Sequence, residues 1–360
     1  MKAAVFHGRG DIRLEDVPRP EPGAGELLVR VTGVGICGTD AAEYAAGPQM
    51  FPIHRTDPVT GHRGPMVPGH EFAGVVAGTG RGVQGFTEDD PIACGAGISC
   101  GTCGACATGR SNLCEHYWTV GLQRNGALAE FAAVPAAACI NVAERALASD
   151  VAAMAQPMAI AVHATARGRL GAGEDAVVVG TGGIGAFVVY AAARCGAAVT
   201  GVDLDPERLR VAKALGAGAT VPAQPGIPLT DLLAGASPSV VFECTGVGAM
   251  LHEAIDLVRP GGRVVVVGLQ EAPVAVDLRS LALREKELVG TLAHAFGADF
   301  GRAVESLEAG GDLWRLLAPS VLPLEDLVDG GLGPMVAGGP TPIKTLFDPG
   351  IDSPRPTVTG

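Results

Sequence analysis

A chain of 360 residues, 48% hydrophobic and only 18% charged, can bury substantial cores and is long enough for two domains, which excludes a disordered protein. With 38 acidic against 26 basic residues the net charge is −12, and no basic cluster relieves it, so nucleic acid and anionic membranes are excluded as partners. No run reaches the length of a membrane span and the N-terminus MKAAVFHGRG lacks a signal-peptide pattern, so the expected location is the cytoplasm, where nine cysteines point to metal or catalysis before disulfides.

Residues 1–6 and 26–34 read as strands, separated by a Pro-rich stretch over 17–25. Gly35-Ile36-Cys37-Gly38-Thr39-Asp40 then sets a thiol and a hydroxyl two residues apart among glycines. Taken alone, Cys37 reads most simply as a small core residue. Downstream, Gly69-His70-Glu71 offers an imidazole beside a carboxylate at the start of an apolar strand. A buried Glu there is costly unless neutralised, and a zinc ion held by Cys37 and His70, with Glu71 touching or bordering it, would neutralise it. Cys100, Cys103, Cys106 and Cys114 follow as C-x2-C-x2-C-x7-C, with Gly101, Gly104 and Gly109 allowing tight turns. Four such thiolates close tetrahedrally on one zinc, and with no open position that metal is structural. An iron–sulfur cluster is the competing chemistry, although the spacing is not a ferredoxin run. Cys94 falls outside the spacing, and Cys139, Cys195 and Cys244 read as reduced core thiols.

An Ala-rich helical stretch over 151–171 leads to the best-marked segment of the chain. Residues 176–179 form an apolar strand, Gly180, Gly182 and Gly185 match G-x-G-x-x-G, residues 184–195 form a helix, and residues 198–202 return as a strand ending at Asp203. The turn residues Gly180, Gly182, Gly183, Ile184 and Gly185 present backbone to a pyrophosphate, and Asp203 accepts hydrogen bonds from the adenosine ribose. A 2'-phosphate would meet that carboxylate, so NAD is favoured over NADP. Further strands are expected over 240–244 and 263–268, with a helix over 248–258 ended by Pro260-Gly261-Gly262. A helix over 299–308 and segments at 322–327 and 342–347 complete the pattern.

GICGTD at Gly35–Asp40, GHE at Gly69–Glu71, the four-cysteine lobe and the glycine turn with Asp203 together resemble the zinc-containing medium-chain alcohol and polyol dehydrogenase family. The insert from Gly47 to Gly61 is similar to its 2,3-butanediol (acetoin) dehydrogenase branch. The resemblance implies an α/β fold: a Rossmann doubly wound parallel sheet plus a GroES-like β-rich catalytic domain. The catalytic domain would span residues 1–157 and 295–348, with its zinc lobe at about 94–115. The Rossmann domain would span 158–294, and 349–360 would be a loose tail. It further implies NAD and two zinc ions per chain, one catalytic and one structural, a small alcohol or ketone substrate, and a homodimer or homotetramer. By position, Arg208 resembles a basic group near the ribose, Val267 and Leu269 a segment beneath the nicotinamide, and Lys344 a basic residue reaching the pyrophosphate.

Two residues depart from the family pattern. Gln156 stands where a Glu is usual, and Ala42 where a His normally ends the proton relay; His54 and Glu43 are conceivable substitutes. The expected reaction is hydride exchange between NAD and a secondary alcohol, with a vicinal diol, acyloin or polyol as substrate. Thr39 shuttles the proton through the cofactor ribose to water, zinc is held by Cys37, His70 and Glu71, and Gln156 stands beside the zinc without contacting it. The alternatives are a specialised biosynthetic alcohol dehydrogenase or ketone reductase, and an inert NAD-binding protein.

Overall fold

The structure is a computed structural model that describes residues 1–339 and 341–359. The chain divides into two compact units, Met1–Ala159 with His294–Gly360, and Ile160–Ala293.

In the second unit six parallel strands lie in the order Ala219–Pro222, Ala198–Asp203, Asp175–Val179, Val240–Glu243, Arg263–Val266 and Glu287–Gly290. Numbered along the chain this is 3-2-1-4-5-6, the doubly wound order, with its switch point between the first and fourth strands. The central strands are Val-rich and unalternated because helices cover both faces. Val177, Val179, Val202, Val241, Leu251, Ile255 and Val264 belong to one buried core. The helix Gly183–Arg194 leaves the glycine turn directly. A Cβ at Gly185 would lie 1.8 Å from the Gly180 carbonyl oxygen, so only glycine lets the helix start there.

The first unit is built on an eight-stranded sheet whose central strand, Glu26–Gly35, pairs antiparallel with Glu71–Thr79, Phe131–Pro135 and Leu346–Asp348. Leu27, Val29, Val31, Val34, Phe72 and Phe347 bury against one another beneath it. Among the described residues no helix is long and apolar enough to cross a membrane.

Two local expectations need correction. The helix expected over 299–308 begins only at Gly301, after a wider π-turn over Phe296–Phe300. There the Asp299 carboxylate accepts the Ala295 N–H at 2.8 Å and the Phe296 and Phe300 rings stack 5.0 Å apart, which holds the wider turn. Nor is 349–359 loose; Gly360 lies outside the described residues. Arg355–Pro356 pairs with Ser320–Pro323, and the Arg355 guanidinium donates to Asp150 at 2.6 and 2.8 Å and to Asp348 at 3.1 Å. The Val358 N–H also donates to Asp150, at 2.8 Å. Tertiary ion pairs hold this segment, and they leave no local apolar period to read.

Candidate active site and metal sites

Strand pairing assembles the first site. Cys37 follows the strand Glu26–Gly35 and precedes the helix Gly38–Ala46. Glu71 opens the neighbouring strand and pairs in register with Gly35, which brings His70 and Glu71 beside Cys37. One ligand atom from each of Cys37, His70 and Glu71 lies within 4.8 Å of the others. A Cβ at Gly35 would stand 2.7 Å from Glu71 Oε2, so the carboxylate fits only because that position is glycine.

Charge converges on this cluster. His70 Nδ1 is 3.7 Å from Asp40 Oδ1, both residues are buried, and neither atom has a hydrogen-bond partner among the described residues. Burial works against a charge on His70, but Asp40 and the Cys37 sulfur outweigh it and raise its pKa to about 9. Asp40 itself is held by the Cys37 N–H, which donates to Oδ2 at 2.9 Å. A thiol, an imidazole and two carboxylates in one buried pocket attract a cation, and this donor set suits zinc. Thr39 is half-buried, with Oγ1 3.9 Å from Cys37 Sγ. Gln156, on the helix Ala155–Arg167, is buried, and its Oε1 has no hydrogen-bond partner among the described residues.

Lys344 takes a different partner from the expected pyrophosphate. The returning strand Leu346–Asp348 pairs with the end of Glu26–Gly35, which carries Lys344 inward. Its buried ammonium donates to the Ile36 carbonyl at 3.0 Å and to Glu71 Oε2. Removing one partner of such a buried pair would strand the other's charge. The conceivable relay substitutes are placed elsewhere as well. Glu43 is buried and accepts the Gln49 N–H at 2.9 Å and the Met50 N–H at 2.5 Å, while His54 is exposed. Glu43 therefore anchors the loop after its helix.

Cys100, Cys103, Cys106 and Cys114 bring their sulfurs within 4.8 Å of one another. Backbone N–H groups of Cys103 and Cys100 donate to Cys100 Sγ and Cys114 Sγ at 3.3 and 3.2 Å. Donation from the Thr102 N–H and hydroxyl brings Cys100 down to about 6, whereas burial pushes Cys114 up to about 11. Four free thiols within reach of one centre, one of them readily ionised, fit a tetrahedral zinc. Cys94 and Cys139 lie in the core, opposite each other on paired strands.

In the second unit a cleft of about 700 Å³ opens at the carboxyl ends of the strands, lined by Gly180, Gly182, Gly183, Asp203, Arg208, Thr245 and Val247 among others. Asp203 Oδ2 accepts the Thr181 N–H at 2.7 Å and its hydroxyl at 3.3 Å, while Oδ1 accepts the Asp205 N–H at 3.0 Å and lies 3.9 Å from Arg208. The Arg208 guanidinium lies against Gly182, where a Cβ would approach it to 3.1 Å. Leu269 is largely exposed, with its carbonyl packed on Gly246. Turn backbone, a helix N-terminus and a carboxylate along one cleft suit a dinucleotide. Sequence reasoning missed the support given to His70 by Asp40, to Asp203 by Thr181 and to Glu71 by Lys344. Only the first left a local signal, an acid three residues after Cys37 at a helix start.

Residues 23–144 match the model of the alcohol dehydrogenase GroES-like domain, and residues 183–309 that of zinc-binding dehydrogenases. The chain is 30% identical to (R,R)-butanediol dehydrogenase of Bacillus subtilis (strain 168), covering 93% of this chain and 96% of that protein. It is 34% identical to sorbitol dehydrogenase of Gallus gallus, over 80% of this chain and 81% of that one. The crystal structure of 2R,3R-butanediol dehydrogenase from Bacillus subtilis superposes with a TM-score of 0.88 at 29% identity, covering 97% of this chain and 99% of that one. The chain therefore belongs to the zinc-containing medium-chain alcohol dehydrogenase family and is an NAD-dependent oxidoreductase of alcohols and ketones.

Proposed function

We propose that this enzyme reversibly oxidises a small secondary alcohol bearing a neighbouring hydroxyl or carbonyl: a vicinal diol, an acyloin or a polyol. The observation that carries the reading is the convergence of Cys37, His70 and Glu71, with the Thr39 hydroxyl 3.9 Å from the Cys37 sulfur. Butanediol and sorbitol, in the names of its relatives, share adjacent hydroxyls, which supports the substrate class. Zinc held by the three residues supplies Lewis-acid charge that acidifies an alcohol or polarises a carbonyl. Thr39 takes the alcohol proton, and with Ala42 in place of an imidazole no relay histidine stands between the ribose end of that route and water. Lys344 neutralises one oxygen of Glu71 and steadies it beside Cys37. A panel of diols, polyols and their ketones, assayed in both directions by nicotinamide absorbance, tests the reading. Tight NAD binding without turnover on any of them would favour an inert nucleotide-binding protein.

The metal assignment has its own test. Glu71→Gln should lose the catalytic zinc to a chelator and Gln156→Glu should retain it better, both read by metal analysis. Full catalytic zinc in Glu71→Gln would remove Glu71 from the ligand set. Asp203→Ala should weaken NAD and relax discrimination against NADP by roughly tenfold or more, read by titrating both nucleotides. Unchanged affinity for both would place the ribose elsewhere. The same reading takes the enzyme as a cytoplasmic homodimer or homotetramer. Leu278, Leu283 and Leu288, exposed on and near Glu287–Gly290 at the edge of its sheet, support association.

A further inference from the structure

Glu243 ends the strand Val240–Glu243, next to Asp175–Val179 across the switch point, and is wholly buried. Oε1 accepts the N–H groups of Thr245 at 2.6 Å and Gly246 at 3.1 Å together with the Thr245 hydroxyl, and Oε2 accepts Gln270 Nε2 at 3.0 Å. Every one of these partners donates, which is the environment an ionised carboxylate accepts. Among the described residues no cation forms an ion pair with it. Burial, with the Glu243 charge beside it, raises the Cys244 thiol well above its ordinary range.

The segments this carboxylate ties together border the cofactor cleft. Thr245 packs against Gly180, with its methyl 2.7 Å from where a Cβ would stand, and Cys244, Thr245 and Val247 line the cleft. The Glu243 carbonyl accepts the N–H groups of Val267 and Gly268 at 2.8 and 2.9 Å, fixing the start of the Val267–Leu269 segment. In a doubly wound sheet the dinucleotide lies across the carboxyl ends of the strands. Asp203 and the glycine turn take the adenosine and pyrophosphate on one side of the switch point. The nicotinamide half then lies over the strands Val240–Glu243 and Arg263–Val266.

We propose that Glu243 is a positioning residue whose buried negative charge biases the cleft toward the oxidised cofactor, because the nicotinamide ring is positive in NAD+ and uncharged in NADH. The proposal rests on the dinucleotide-binding reading of this cleft. Opposite unit charges about 10 Å apart, in an effective dielectric of about 20, correspond to roughly a tenfold preference.

Glu243→Gln isolates that charge. Gln270 Oε1 is buried without a hydrogen-bond partner, so turning the Gln270 amide over presents an acceptor to the new amide group, and the donors to Oε1 keep theirs. Affinities are read by NADH fluorescence titration and by NAD+ competition against it. We expect Kd for NAD+ to rise about tenfold and Kd for NADH to stay within about twofold. Gln270→Lys, which sets a cation against the same carboxylate while leaving Glu243 itself in place, should shift the ratio in the same direction and serves if the first variant fails to fold. An unchanged ratio in the folded variants, or equal losses for both nucleotides, would overturn the proposal. Wild-type enzyme that binds neither nucleotide would instead sink the dinucleotide reading on which it stands.

Discussion

Thr39→Val should lower turnover by about 10²- to 10⁴-fold in both directions while leaving zinc content and NADH affinity at wild-type values. The substitution keeps the shape of a half-buried side chain and removes only the hydroxyl beside the Cys37 sulfur, so a folding defect is not the expected outcome. The loss follows from the proton inventory. Glu43 is committed to the Gln49 and Met50 N–H groups, His54 is exposed and Ala42 carries no imidazole, which leaves Thr39 as the group expected to move the proton. Ala42→His should accordingly raise the oxidation rate, and mainly below the pH optimum, where proton release to water limits. Near wild-type activity in Thr39→Val, measured by nicotinamide absorbance, would mean that water alone carries the proton.

The second large effect is expected in the four-cysteine lobe. Cys103→Ser removes one of four sulfurs gathered within 4.8 Å, and the enzyme should lose about one zinc per chain. The lobe has little else to hold it. Its regular structure is the two-residue pairing of Gly97–Ile98 with Trp118–Thr119, one α-helical turn, Gly104–Ala107, with no buried residue, and one 3-10 turn, Ser111–Leu113. Rapid amide exchange should therefore spread through residues 97–119 and thermal stability should fall. Exchange in the strands Asp175–Val179 and Ala198–Asp203 and NADH binding should persist, because their core lies in the other unit. Native-like metal content in this variant would defeat the assignment.

What could be read from residue order alone was chemistry set by short spacing. A strand, glycine turn, helix, strand and acid over residues 176–203 specify a dinucleotide unit because each step depends on neighbours in the chain. The C-x2-C-x2-C-x7-C run works in the same way, since short loops already bring its sulfurs close together. Cys37 and His70 were legible as a pair from the cost of burying Glu71 without a cation and from the family resemblance, but 32 intervening residues separate them and strand register decides their meeting. Tertiary pairing decided the rest. Lys344 was expected at a pyrophosphate, and the returning strand sets its buried ammonium against Glu71 and the Ile36 carbonyl, partners that lie roughly 300 residues away in the chain and leave no local pattern to read. The segment after residue 348 read as loose because Arg355 finds Asp150 some 200 positions earlier, a contact with no local pattern. Glu243 falls within the strand expected over 240–244, where nothing in the sequence set it apart. Its burial and its donors, supplied by a following turn and by Gln270 from beyond the next strand, exist only once the parallel sheet is assembled.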